Sequence, residues 1–117
     1  MVFNAVISNS DDHPRNHAFI ACADWRLSPA YDLTPAPVIA IDRRDLAMIC
    51  GNMGRFANTA NLLSECKRFM LNESEAKRII ETIATTVAKN WYEAARNAGV
   101  SERDCEQISS AFVYQGF

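Results

Sequence analysis

Eight residues near the start of the chain, Asn9-Ser10-Asp11-Asp12-His13-Pro14-Arg15-Asn16, hold two carboxylic acids, an imidazole, a guanidinium and two carboxamides. At its plainest such a stretch is a solvated connection in which Asp and Asn bond their own backbone. It lies between two apolar runs, at 2–7 and 18–22, and the chain then returns through Trp25-Arg26-Leu27 to Asp32. Each arm of a hairpin built this way covers about 20 Å at roughly 3.3 Å per residue. Asp32 is therefore expected to come back beside Asn16 and Asp11. Two carboxylates and an amide oxygen gathered at one hairpin end suit Mg²⁺, a hard ion that completes its octahedron with water and phosphate oxygens.

An Asp, an Asn five residues later, a hairpin and a further Asp also follow the order in which protein kinases set a proton-accepting base and two metal ligands. On chemical grounds either Asp11 or Asp12 can be the base, and only the five-residue spacing to Asn16 favours Asp11. A competing use of the same loop is metal-dependent phosphoester hydrolysis by Asp11, Asp12, His13 and His17. The two histidines share a face only on a helix, and Pro14 fits only the start of one. Ser8, Ser10 and Ser28 lack the GxSxG setting of an activated serine. The cysteines at 22, 50, 66 and 105 form no CxxC pattern, so they read as buried free thiols in a reducing cytoplasm rather than as zinc ligands.

The run Phe3-Asn4, Asn9 to Phe19, and then Trp25-Arg26-Leu27-Ser28-Pro29-Ala30-Tyr31-Asp32 resembles the HipA family, bacterial serine/threonine protein kinases that act as toxins of toxin–antitoxin pairs. Later segments are similar to that family's C-terminal helices: Asn61-Leu62-Leu63, Ala76 to Trp91, and Ala98-Gly99-Val100-Ser101. The resemblance implies that Asp11 orients and deprotonates the attacking Ser or Thr hydroxyl. It implies that Asn16 and Asp32 hold the Mg²⁺ that bridges the ATP phosphates. His13 matches the motif's histidine, expected to brace the loop by hydrogen bonds rather than to move a proton. The implied partners are a protein substrate bearing the hydroxyl and a helix-turn-helix antitoxin, with DNA reached only through the latter.

A kinase also needs a nucleotide-covering loop and a phosphate-binding lysine ahead of the catalytic loop. Gly51-Asn52-Met53-Gly54 lacks GxGxxG spacing, follows the acidic loop and reads as a turn. The chain is therefore expected to be the C-terminal part of such a kinase, binding Mg²⁺–ATP weakly by itself. Apolar surface is expected where the rest would pack, open to self-association or a partner. The other reading is a non-catalytic remnant or module that binds the antitoxin.

The elements that must position these residues fall into three stretches of one domain, 1–117. Residues 1–33 read as a buried strand at 2–7 followed by a hairpin, 17–22 and 25–28. Residues 34–57 read as irregular. Residues 58–117 read as helices: one opened by Asn58 or Thr59 with Leu62, Leu63, Cys66 and Phe69 inward, one over 73–98, and one from Ser101 to about Val113. Asn72 with Glu75 makes a capping signal, and Gly99 makes a left-handed stop. The fold class is α+β, mainly helical, like part of a kinase C-terminal lobe, with the hairpin laid against the long helix. Trp91 reads as core, and Arg43-Arg44 as a solvated basic pair.

The 117 residues are 49% hydrophobic and 22% charged, with a net charge of -2. That apolar share excludes a disordered chain, and the balance of charge gives no general attraction for nucleic acid. No apolar run approaches the roughly 18 residues of a membrane span.

Overall fold

The long helix forms where its caps are strongest. The Asn72 side chain accepts from the Glu75 N–H, while the Glu75 carboxylate accepts from the Asn72 N–H, each at 2.9 Å. This closed box starts α3, Glu73–Asn97. At the far end Gly99 takes φ +88. Its N–H donates to the Arg96 carbonyl, and the Val100 N–H to the Ala95 carbonyl, each at 3.0 Å. This is the paired C-terminal closure that glycine permits. Gly99→Ala should cost about 1 kcal/mol, because a Cβ strains the left-handed backbone; the Cβ itself meets nothing within 4 Å. Urea denaturation measures the loss as a lower midpoint at unchanged slope.

The computed structural model describes residues 1–37, 40 and 42–117. In order they form α1 (Val2–Val6), a 3₁₀ turn (Pro14–Asn16), β1 (Phe19–Ala21), β2 (Trp25–Leu27), α2 (Thr59–Ser64), a 3₁₀ turn (Cys66–Phe69), α3, α4 (Glu102–Ile108) and a last 3₁₀ turn (Ser109–Ala111). The architecture is α+β and mainly helical, as the sequence implies. β1 and β2 are antiparallel, with Phe19 opposite Leu27 and Ala21 opposite Trp25. Between the hairpin and α2 the described residues are irregular apart from two isolated bridges, Asp45 to Phe56 and Gly51 to Gly54. Val38, Ile39 and Ile41, within the stretch read as irregular, lie outside the described residues.

Five sequence expectations change. Residues 2–7 are not a strand but the helix α1, which packs on α3. One turn and a half of nearly all-apolar residues shows no periodicity, so a buried strand and a buried helix read alike. The hairpin does not lie on the long helix: all six strand residues are exposed, Phe19 at 65% and Trp25 at 74%. The Ser101-capped helix ends at Ile108 rather than near Val113, because the Phe112 N–H closes a 3₁₀ turn on the Ser109 carbonyl at 3.2 Å and the Val113 N–H donates to the Val6 carbonyl at 2.8 Å. Phe69 turns outward, 51% exposed, and so does Cys22, while the other three cysteines are buried.

The core has two parts around α1. Ala5 meets Leu46, Cys50, Ala57, Leu62 and Ile80, and Val6 with Ile7 meets Val87. Trp91 closes the second part, stacked on Phe112 with ring centroids 4.4 Å apart. Arg44 is a further correction. It is buried, not solvated: its guanidinium lies 4.5 Å from the Tyr114 ring and also donates to Ser8 Oγ. Burial pushes its pKa below the ordinary value, with Tyr114 partly offsetting this. The same desolvation pushes the Tyr114 and Cys50 pKa values up. The Tyr114 hydroxyl donates to the Ala57 carbonyl at 2.6 Å, and the Val113 N–H to the Val6 carbonyl at 2.8 Å, which ties the C-terminal segment across the core.

Candidate active site

The acidic loop leaves α1 through two buried residues, Ser8 and Asn9. Ser8 takes φ 56, a left-handed kink that turns the chain out of the helix. Pro14 then starts the short 3₁₀ turn, and the Asn16 N–H closes it on the His13 carbonyl at 2.9 Å. The chain enters β1 in extended conformation. On the return, the Ser28 N–H donates to the Ala18 carbonyl at 2.8 Å, and the Tyr31 hydroxyl donates to the Arg15 carbonyl at 2.6 Å. Tyr31 thus fastens the outgoing and returning arms at the root of the hairpin.

Asp11 and Asp32 line one small cleft of about 170 Å³ with Asn9, Ser10, Thr34 and Ala36. Asp32 takes the left-handed region, φ 56, which Asp tolerates better than most side chains. The Asp11 side chain is 74% exposed, and its Oδ1 lies 2.7 Å from His13 Nε2. Asn16 does not line this cleft. It is buried behind the loop, where its Nδ2 donates to the Asp11 backbone carbonyl at 3.1 Å. Among the described residues no hydrogen bond engages Asn16 Oδ1.

Asp12 goes the other way. Its buried carboxylate lies 2.8 Å from His17 Nε2. The pair lines two neighbouring cavities of about 410 and 530 Å³, walled by Met1 and Leu27 and, in the larger, by Ile49 and Phe69. The grouping of Asp11, Asp12, His13 and His17 into one metal cluster does not form. The two histidines serve two separate aspartates, and among the described residues no group of three His, Cys, Asp or Glu side chains could hold an ion. The His13 to His17 stretch is a 3₁₀ turn flanked by extended residues, so spacing of four does not put the rings on one face.

The sequence reading gave no role to Asn9 or Tyr31, and placed His17 only in the hydrolytic alternative, although all three stand in the motif that carries the resemblance. The available signal was position: a carboxamide next to a buried run, and a Tyr one residue before the returning Asp.

The cleft of Asp11 and Asp32 thus sits at the root of an exposed hairpin in an α+β, mainly helical protein. Residues 1–91 match the family described as the HipA-like C-terminal domain, and the chain belongs to that family. No curated protein and no solved structure matches it. Among the described residues no helix is long and apolar enough to cross a membrane.

Proposed function

We propose that the chain is the catalytic-base and metal-binding part of a HipA-like serine/threonine protein kinase. The observation that carries this reading is the cleft shared by Asp11 and Asp32, with Asn16 bonded to the Asp11 backbone directly behind it. The two carboxylates of the cleft suit a hard divalent ion, with neither thiolate nor imidazole required, while Asn16 lines the neighbouring cavity with Asp12 and His17. Asp32 would hold Mg²⁺, with Asn16 joining it once its amide oxygen turns to the cleft, and the ion when bound with ATP neutralises phosphate charge during transfer. Asp11 is the base. Its exposed carboxylate faces the cleft and can accept the proton of a Ser or Thr hydroxyl on a protein substrate, while Asp12 is committed to His17. His13 holds the Asp11 carboxylate in one orientation, as a brace does.

The nucleotide-covering loop and the phosphate-binding lysine are not among these 117 residues. Positioning supplies most of the catalysis in phosphoryl transfer, so the 117-residue polypeptide alone should transfer phosphate negligibly. Adding the ATP-gripping part of a HipA-like kinase should restore Mg²⁺-dependent phosphorylation of a protein hydroxyl. Transfer by the 117 residues alone, or none after reconstitution, would overturn the reading. We place the reaction in the cytoplasm, since the four cysteines are all free thiols.

A second reading is a non-catalytic module that binds a helix-turn-helix antitoxin. The uncovered hairpin favours it, with Phe19, Trp25 and Leu27 all more than half exposed beside Ile49. Contiguous apolar surface of this kind marks an interaction site. Reconstitution discriminates, because only the kinase part regains transfer.

A further inference from the structure

We infer that Asn9 is the positioning residue that locks the Asp11 loop to the Asp32 segment. Its purpose rests on the metal-site reading above, and its substance on hydrogen bonds. Asn9 is 2% exposed. Its Oδ1 accepts from the Asp11 N–H at 3.3 Å, and its Nδ2 donates to the Asp32 carbonyl at 3.2 Å and to Asn4 Oδ1 at 3.3 Å. One carboxamide therefore grips both halves of the cleft and a side chain of α1. Its own N–H donates to the Asn4 carbonyl at 2.8 Å, so the grip is anchored to the helix that packs on α3.

The backbone on either side needs such a grip. Ser8 and Asp32 both sit at φ 56, a region that residues with a Cβ hold only when their surroundings over-determine it. Ser8 is held by its bond to the Ala111 carbonyl and by Arg44. For Asp32, the Asn9 bond is the only side-chain hydrogen bond to its backbone among the described residues. Without it the returning segment can relax toward extended backbone and carry its carboxylate away from Asp11. Groups that orient a metal ligand in this way typically change metal affinity by about 10- to 100-fold when removed.

The test is NMR on the intact 117-residue chain. In the unmodified protein the Asn9 carboxamide protons should exchange with solvent more slowly than those of exposed Asn52, and equal rates would overturn the inference. Asn9→Ala should shift the Asp32 backbone resonances away from their left-handed values and speed exchange of the Asp11 amide. A folded variant with both unchanged would overturn it. Asn9→Asp keeps the acceptor and loses the donors, so Asp32 should be released while Asp11 stays protected. The absence of that split counts against the inference, and this variant decides if Asn9→Ala does not fold. Mn²⁺ then links the clamp to the ion. It should broaden the Asp11 and Asp32 amides together, with about tenfold or weaker affinity in Asn9→Ala. Unchanged affinity in a variant with Asp32 released would overturn the positioning role. No broadening in the unmodified chain would overturn the metal reading, with the clamp still decided by exchange and resonance position.

Discussion

Asp11→Asn in the reconstituted kinase is expected to lower phosphate transfer about 100- to 10,000-fold, the usual contribution of a positioned general base. The amide keeps the size and planarity of the carboxylate but cannot take up the hydroxyl proton. It can still accept from His13 Nε2, so the brace at 2.7 Å need not be lost and the loop should stay folded. Asp12→Asn is the informative companion. Asp12 is buried against His17 and lines the cavities behind the cleft, so its substitution should reduce stability more than it reduces transfer. A steady-state comparison of the two variants, each with its urea midpoint, separates base from brace. Equal losses of transfer at equal stability would show that Asp11 has no special part.

Asn61→Ala is expected to remove about 2–3 kcal/mol of stability, a large share of what a domain of this size holds. Asn61 is fully buried in α2. Its Oδ1 accepts from the Met53 N–H at 2.7 Å, and its Nδ2 donates to the Phe56 and Gly54 carbonyls at 2.8 and 3.0 Å. Truncation removes the partner of the Met53 N–H and one bond from each of the Gly54 and Phe56 carbonyls in the 51–56 turn, which still accept from the Cys50 and Asn58 N–H groups at 3.0 and 3.1 Å. The turn itself is tightly shaped around this side chain. A Cβ on Gly51 would overlap the Asn61 carbonyl oxygen and reach within 2.6 Å of Ser64 Oγ. The cap residue of the same helix gives the scale: Asn58 accepts one N–H at 2.7 Å, and Asn58→Ala should cost about 1 kcal/mol. Denaturation midpoints of the two variants check the ratio. A loss at Asn61 no larger than at Asn58 would refute the claim.

The parts of the fold legible in the sequence are those specified by neighbours in the chain. Asn72 and Glu75 close on one another, Gly99 turns where only glycine turns freely, and the alternation around Ala23-Asp24 makes a hairpin of three-residue strands. Those that were not legible depend on partners far along the chain. Arg44 looks like half of a solvated pair until the Ser110 carbonyl, 66 residues away, and the Tyr114 ring cover it. The five residues of α1 carry no period of their own, and their helix is decided by α3. The site divides the same way. The arms of the hairpin bring Asp32 back to the cleft of Asp11, but side-chain direction separates Asp12 toward His17 and Asn16 toward the loop's interior.

The bare hairpin has a dynamic consequence. A two-stranded ribbon with no layer on either face is marginal in water, so residues 19–27 should open and close at little cost while the helices beneath remain shut. Its root is the opposite kind of structure, fastened by Tyr31 to Arg15 and by Asn9 to Asp32. The molecule thus carries a pliable tongue on a stiff hinge: whatever settles on Phe19, Trp25 and Leu27 can reshape the tip without disturbing the acids at its base.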